Sequence, residues 1–225
     1  MVRQTPVSTL VLISGGGSNL QALIDESRRG LPIAIDAVIS NEPQAYGLVR
    51  ARDAGVATRV LCHRGFPDRQ GFDRALMRLI DEFRPGLILL AGFMRILTPA
   101  FVARYRGRLF NIHPSLLPDF RGLDTHRRAL AAGVRVHGAS VHYVTADLDG
   151  GPVVLQARVP VLPGDSPEVL SERVLRQEHV IYPLAVRWFA EGRLVLGDDG
   201  RPYLDGQVLD RPRLLEDLTD RNQVV

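Results

Sequence analysis

The sequence predicts an α/β protein: an open, mostly parallel sheet with helices on both faces, mixed in its C-terminal half. Three observations carry this. Short apolar runs alternate with stretches of helical spacing through the first hundred or so residues. The run GLILLAG, residues 86–92, is apolar throughout, as a strand buried on both faces must be. Past Leu109 the pattern changes to a proline-punctuated loop, two strand-like runs flanking DLDGG, and one long amphipathic stretch.

The elements follow in order. TLVLI (9–13) runs straight into SGGGSN, and LQALIDESRR then sets Leu20, Leu23 and Ile24 at helical spacing: strand, glycine loop, helix. IAIDAVIS (33–40) is expected as the second strand, AYGLVRARDAG as a helix closed by Gly55, and VATRVL (56–61) as the third strand. DRQGFDRALMRLIDEF carries Phe72, Leu76, Leu79, Ile80 and Phe83 on one side of a longer helix. GLILLAG is the fourth strand and, from its apolarity, a central one. RLFNIHPSLLPDFRGLDTHRRAL begins as a short strand and ends as a helix. RVHGASVHYVTADLDGGPVVLQARVPV reads as two alternating strands joined by a polar turn. PEVLSERVLRQEHVIYPLAVRWFAEG is a long amphipathic helix, and the tail from about Arg193 holds one or two short strands and a polar end. Right-handed crossovers make this a Rossmann-like arrangement. We read it as a single domain over 1–225, with an N-terminal half of about 8–100 and a second half of about 101–195. Ligands in such sheets bind beyond the carboxyl ends of the strands, so the site is expected at the loops after Ile13, Leu61 and Leu90 and at the strand near Leu109.

Composition narrows the class. A chain of 225 residues, 45% hydrophobic and 24% charged, can bury a substantial core. The net charge of +3 is too small a surplus to call for a nucleic-acid partner, and Arg104, Arg106 and Arg108 read as a solvated helix end. It does suit small anionic substrates. A lone cysteine, Cys62, gives neither an internal disulfide nor a cysteine metal site. His126, His137 and His142 lack metal-site spacing, so no metal is expected, and most of them read as structural. No apolar run reaches the roughly 18 residues of a membrane span. The N-terminus reads as a first strand and not a signal peptide, so the expected location is cytoplasmic, with no membrane partner. A monomer or a homodimer fits equally.

Three segments can carry chemistry. In the glycine loop, Gly15, Gly16 and Gly17 let backbone amides approach an anion, and Ser18 or Asn19 can cap the helix and touch a phosphate. The loop lacks dinucleotide and P-loop spacing, which leaves a single phosphate group or, at its plainest, a capped tight turn. In NIHPSLLP, Asn111 and His113 lie two residues apart on extended backbone and so share a side; one can hold a carbonyl oxygen while the other handles a proton. In DLDGG, Asp149 is placed to orient or charge a histidine, and the two following glycines leave space beside its carboxylate; the plain alternative is hairpin-turn chemistry.

SGGGSNLQALID, LAGFMRIL, NIHPSLLP and DLDGGPVVLQA, in this order and spacing, closely resemble the folate-dependent formyltransferases. NIHPSLLP is shared across that superfamily. SGGGSNLQAL with QEHVIYP points to its phosphoribosylglycinamide (glycinamide ribonucleotide) formyltransferase branch. The resemblance runs from about Ser8 past Tyr182 and implies the formyltransferase fold. It implies transfer of a formyl group from 10-formyltetrahydrofolate, the co-substrate, to the amine of glycinamide ribonucleotide in purine synthesis. It implies that Gly17, Ser18 and Asn19 bind the substrate phosphate and that Glu178 contacts the glycinamide part. Met94, Arg95, Ile96 and Leu97 line the pterin pocket, Val144 lies beside it, and Arg69 meets the glutamate end of the folate. Asn111, which also touches the folate, His113 and Asp149 match the catalytic set. The chain departs at Gly16, where some relatives carry asparagine, and at DFRGLDTH, where Asp124 stands in place of a histidine. Rival readings on the same motifs are a formyltetrahydrofolate hydrolase, a methionyl-tRNA formyltransferase, or a non-catalytic folate or nucleotide sensor. The hydrolase and the tRNA enzyme leave GGGSN without a purpose, and a sensor has no use for Asn111, His113 and Asp149 together.

Overall fold

A computed structural model describes residues 5–219 of the chain. These fall into two compact units, Met1–Asn111 and Ile112–Val225. The first unit alternates strands and helices in the expected order: β1 Val7–Ile13, α1 Ser18–Arg28, β2 Ile33–Ser40, α2 Gly47–Asp53, β3 Ala57–Val60, α3 Arg69–Asp81, β4 Leu87–Leu90, α4 Pro99–Arg104 and the start of β5, Leu109–His113. The pairs β1–β2, β2–β3, β1–β4 and β4–β5 are all parallel. All four residues of β4 are buried, so both faces of that strand are covered, and it lies between β1 and β5 as its apolarity predicts.

Helix α4 is absent from the sequence-based expectation, although its signal is present. Thr98 caps it by accepting from the Phe101 N–H at 3.3 Å, and Pro99 follows at the first helical position. The run is short because Tyr105 leaves helical geometry; of the arginines read as a solvated end, Arg104 and Arg106 are exposed, but Arg108 is half-buried and its Nη1 donates to the Pro85 carbonyl at 2.6 Å. Arg104 pairs with Asp81 at the surface.

The second unit holds α5 Thr125–Ala131, β6 Val136–Tyr143, β7 Val153–Pro160, α6 Pro167–Ala190, β8 Leu194–Leu196, β9 Pro202–Leu204, β10 Gln207–Val208, β11 Arg213–Leu214 and α7 Leu215–Thr219. Strands β6 and β7 pair antiparallel and β11 joins β7 in parallel, so the sheet runs β11-β7-β6-β5-β4-β1-β2-β3 and is mixed at its C-terminal end. Two expectations are corrected here. The β6 run is not a half-exposed alternating strand: seven of its eight residues are buried, with α6 packed along it, whereas β7 alternates only at its end, where Arg158 and Pro160 are exposed around buried Val159. The tail contains four short strands, three of which form a separate antiparallel sheet in the order β10-β9-β8.

Candidate active site

In the first unit, β1 ends at Ile13 and the chain turns through Ser14 and the glycine loop into α1. Gly17, with φ 70°, is the helix N-cap, and no side chain caps the helix. The expected cap by Ser18 or Asn19 is therefore corrected: both already belong to the helix, Ser18 half-buried and Asn19 buried. Glycine is obligatory at 17, since a Cβ there would lie 2.6 Å from the Gly47 Cα. The first turn of α1 thus starts without a side-chain cap.

A second loop of the same unit, residues 91–98, follows β4. Ser14 ties its start: the Ser14 N–H donates to the Gly92 carbonyl at 3.1 Å, and the Met94 N–H donates to Ser14 Oγ at 2.7 Å. Ser14 Oγ in turn donates to Oδ1 of buried Asn41 at 2.5 Å. The loop's far end is held by buried Asp73, whose carboxylate accepts from the Thr98 N–H at 2.6 Å. Between these anchors Met94 is 65% exposed and Ile96 46%, while Leu97 is buried and Arg95 stacks on the Phe72 ring at 5.8 Å. Two exposed apolar side chains on a backbone fixed at both ends suit a flat heteroaromatic ligand. Arg69 is exposed at the first residue of α3.

In the second unit the chemistry-bearing groups converge. Asn111, on β5 and the last residue of the first unit, is half-buried; His113, two residues on, ends β5 and is 5% exposed. Its Nδ1 lies 3.4 Å from Asp149 Oδ2, and its Nε2 faces the Phe120 carbonyl at 3.0 Å. Both ring nitrogens thus face oxygen acceptors. Asp149 Oδ2 also accepts from the Gly122 N–H at 2.9 Å, and Oδ1 lies 3.7 Å from Nε2 of buried His142. Asp149 has φ 47°, a left-handed conformation rare outside glycine and tolerated by aspartate. The nine residues between β6 and β7 form a loop longer than a tight hairpin, and within it Asp149 stands in a turn closed by the Gly150 N–H donating to the Asp147 carbonyl at 3.0 Å, so the turn reading holds alongside the pairing with His113.

The loop after His113 is fastened from β6 and β7. Ser140 Oγ donates to the Ser115 carbonyl at 2.6 Å and accepts from the Leu117 N–H at 3.0 Å. Gln156 Nε2 donates to the Leu117 carbonyl and to Ser140 Oγ, both at 2.9 Å. Glu178 is buried on α6, and Val144 is half-buried just past β6.

A family model described as formyl transferase matches residues 7–186. The chain belongs to the formyl transferase family. It is 54% identical over 204 residues to phosphoribosylglycinamide formyltransferase of Escherichia coli (strain K12), covering 90% of this chain and 96% of that one. A solved phosphoribosylglycinamide formyltransferase from Coxiella burnetii superposes with TM-score 0.89 at 52% identity, covering 93% of this chain and 99% of that one. Glycinamide ribonucleotide transformylase 1 from Symbiobacterium toebii gives 0.85 at 47% identity, covering 89% and 94%.

This formyl transferase thus brings together His113 and Asp149 as the sequence suggests, and adds His142, Gly122 and Phe120, for which the sequence gives no spacing signal. Among the described residues no group of three or more His, Cys, Asp or Glu is arranged to hold a metal ion, and no helix is long and apolar enough to cross a membrane.

The other histidines supply a pH signature. Burial, reinforced by His126, lowers the His137 pKa to about 4; the two rings meet edge to face at 5.3 Å. Burial, and then the charge of His113, lowers that of His126. Burial also lowers that of His142, against the opposing pull of the Tyr143 carbonyl and Asp149. A base with a depressed folded-state pKa takes up its proton more readily in the unfolded chain. The stability it contributes is complete above its unfolded value near 6.5 and is lost as pH falls toward 4. The expected result is an unfolding free energy that falls below pH 6.5 by up to about 1.4 kcal/mol per pH unit for each such imidazole, read as a falling Tm. Thermal melts of His137→Gln across pH 4–7.5 should show a shallower fall; an unchanged slope refutes the assignment to His137.

Proposed function

We infer that the protein transfers the formyl group of 10-formyltetrahydrofolate to the amine of glycinamide ribonucleotide, giving N-formylglycinamide ribonucleotide and tetrahydrofolate, a step of de novo purine synthesis. The observation that carries this is the match across 96% of the length of the E. coli enzyme at 54% identity. The paired His113 and Asp149 support it.

The reaction joins two nitrogens through one carbon. The neutral substrate amine attacks the formyl carbon, a tetrahedral oxyanion forms, the bond to the folate nitrogen breaks, and one proton passes from the amine to that nitrogen. The amine is itself the nucleophile, so no covalent enzyme intermediate is required. Holding the two ligands in line is worth about 7–11 kcal/mol. Asn111 and His113 are assigned to the developing oxyanion, where one donor contributes about 2.7–4 kcal/mol. His113 Nε2 delivers its proton by exchanging the Phe120 carbonyl for the reacting group. Asp149 holds Nδ1 and thereby the ring's orientation.

Gly17, Ser18 and Asn19 take the phosphate at the first turn of α1. Glu178 takes the glycinamide part. Met94, Arg95, Ile96, Leu97 and Val144 line the pterin, Asn111 also touches the folate, and Arg69 meets its glutamate end. The chain acts as a single formyltransferase domain in the cytoplasm, as a monomer or homodimer, without metal or nucleic acid.

The test is absorbance-monitored loss of the formyl donor with and without glycinamide ribonucleotide. Loss that requires the ribonucleotide is expected. Loss without it would make the protein a hydrolase, and tight folate binding with no loss at all would make it a sensor.

A further inference from the structure

The glycine loop of this chain has its carbonyl oxygens turned away and held. Gly47 N–H donates to the Gly15 carbonyl at 3.0 Å, and Gln21 N–H donates to the Gly17 carbonyl at 2.9 Å. The middle carbonyl, that of Gly16, has no helix amide to meet it. It is held by a side chain: Arg50 Nε on α2 donates to it at 2.8 Å. The guanidinium is itself fixed, at 5.0 Å over the Tyr46 ring and with Nη1 3.4 Å from Gln21 Oε1. The Gln21 amide is oriented by Asp25 through Nε2 at 2.9 Å.

Gly16 is the residue in most need of such a hold. A Cβ there would meet nothing within 4 Å, and its φ lies outside the left-handed region, so neither space nor conformation calls for glycine. Glycine at that point adds backbone freedom that the loop must surrender whenever it grips an anion.

From this we propose that Arg50 is a positioning residue for phosphate-monoester binding. It fixes the Gly16–Gly17 peptide so that the loop's amides, and not its carbonyls, face the phosphate. The inference rests on the assignment of the substrate phosphate to Gly17, Ser18 and Asn19. Arg50 acts through the loop and not by its charge alone.

The experiment is steady-state kinetics of the full chain with both substrates. Arg50→Met removes the donor and is expected to raise the KM for glycinamide ribonucleotide about tenfold, leaving kcat and the KM for formylfolate within about twofold. Arg50→Lys, which keeps the charge and one donor but loses the planar stack and the Gln21 contact, should fall in between. Gly16→Ala introduced into Arg50→Met should recover about two- to fivefold, because a stiffer backbone needs less holding.

Three outcomes overturn the proposal. An Arg50→Lys equal to wild type, with no recovery from Gly16→Ala, would mean that Arg50 serves only as a charge. A drop in Tm with kcat and both KM values shifted together would mean a purely structural residue. No change in Arg50→Met would mean no role. Ser18→Asp separates this from failure of the underlying assignment: an acid in the first turn suits the helix but repels a phosphate. If Ser18→Asp leaves the ribonucleotide KM unchanged, the phosphate is elsewhere and the inference falls with that assignment; if it raises that KM while Arg50→Met does not, the inference alone falls.

Discussion

Asp149→Asn is expected to lower kcat by about 10²–10⁴-fold while changing the KM for formylfolate by no more than about threefold. The carboxylate lies between two histidines. Oδ2 takes the Gly122 N–H at 2.9 Å and faces His113 Nδ1 at 3.4 Å, while Oδ1 faces His142 at 3.7 Å. An asparagine has one acceptor oxygen and one amide donor. If its oxygen meets Gly122 and His113, its NH2 faces His142; if the amide is turned round, its NH2 meets the Gly122 N–H and a histidine N–H that it cannot serve. In either arrangement the imidazole loses the full negative charge that faces its Nδ1. Near-isosteric size keeps the loop in place, so folate binding and Tm should change little. Rapid-quench turnover against a folate-binding titration separates the two effects, and a kcat within threefold of wild type would remove Asp149 from the mechanism.

The second large effect concerns stability as well as rate. Gly151 stands at the neck of the loop that carries Asp149, one residue before the Pro152 carbonyl that accepts from the Tyr143 N–H at 3.1 Å. A Cβ at 151 would overlap the Tyr143 carbonyl oxygen and press on the Thr145 methyl at 3.1 Å. The contact is with backbone at the end of β6, and no rotamer change relieves it. Gly151→Ala is therefore expected to cost about 3 kcal/mol, at the upper end of ordinary overpacking. For a chain of this size that lowers Tm by roughly 6–12 °C. Opening the neck also moves the Asp149 carboxylate from His113, so kcat should fall in the protein that remains folded. A Tm within a degree or two of wild type would show that the neck yields more easily than this geometry allows.

The sequence alone settled the architecture of the first unit. Strand–helix alternation there is local: each apolar run and each helical face is written in consecutive residues, and β4 announces its central place by apolarity at every position. The glycine loop and the strand carrying Asn111 and His113 were legible for the same reason, since the spacing of neighbours on one strand or turn is fixed by backbone geometry. The weak signals were short ones. Helix α4 escaped notice because six residues hold too little periodicity, despite the Thr98 cap. The four tail strands, none longer than three residues, were undercounted on the same ground.

Tertiary structure decided everything that depends on residues distant in the chain. Asp149 is legible as a turn residue, which it is, but which histidine it meets is set only by the fold, which places its carboxylate against His113 and beside His142. The burial along β6 and β7 comes from α6 and from the loop after His113 fastened to Ser140 and Gln156, which no alternation pattern in the strands records. The support beneath the site is likewise non-local. Ser140 and Gln156 hold the loop after His113, and Arg50 holds the Gly16 carbonyl, through single hydrogen bonds between segments whose sequences carry no mutual periodicity. Periodic patterns encode which face of an element is buried; they do not encode which side chain of another element will meet it, because that is set only when the elements pack.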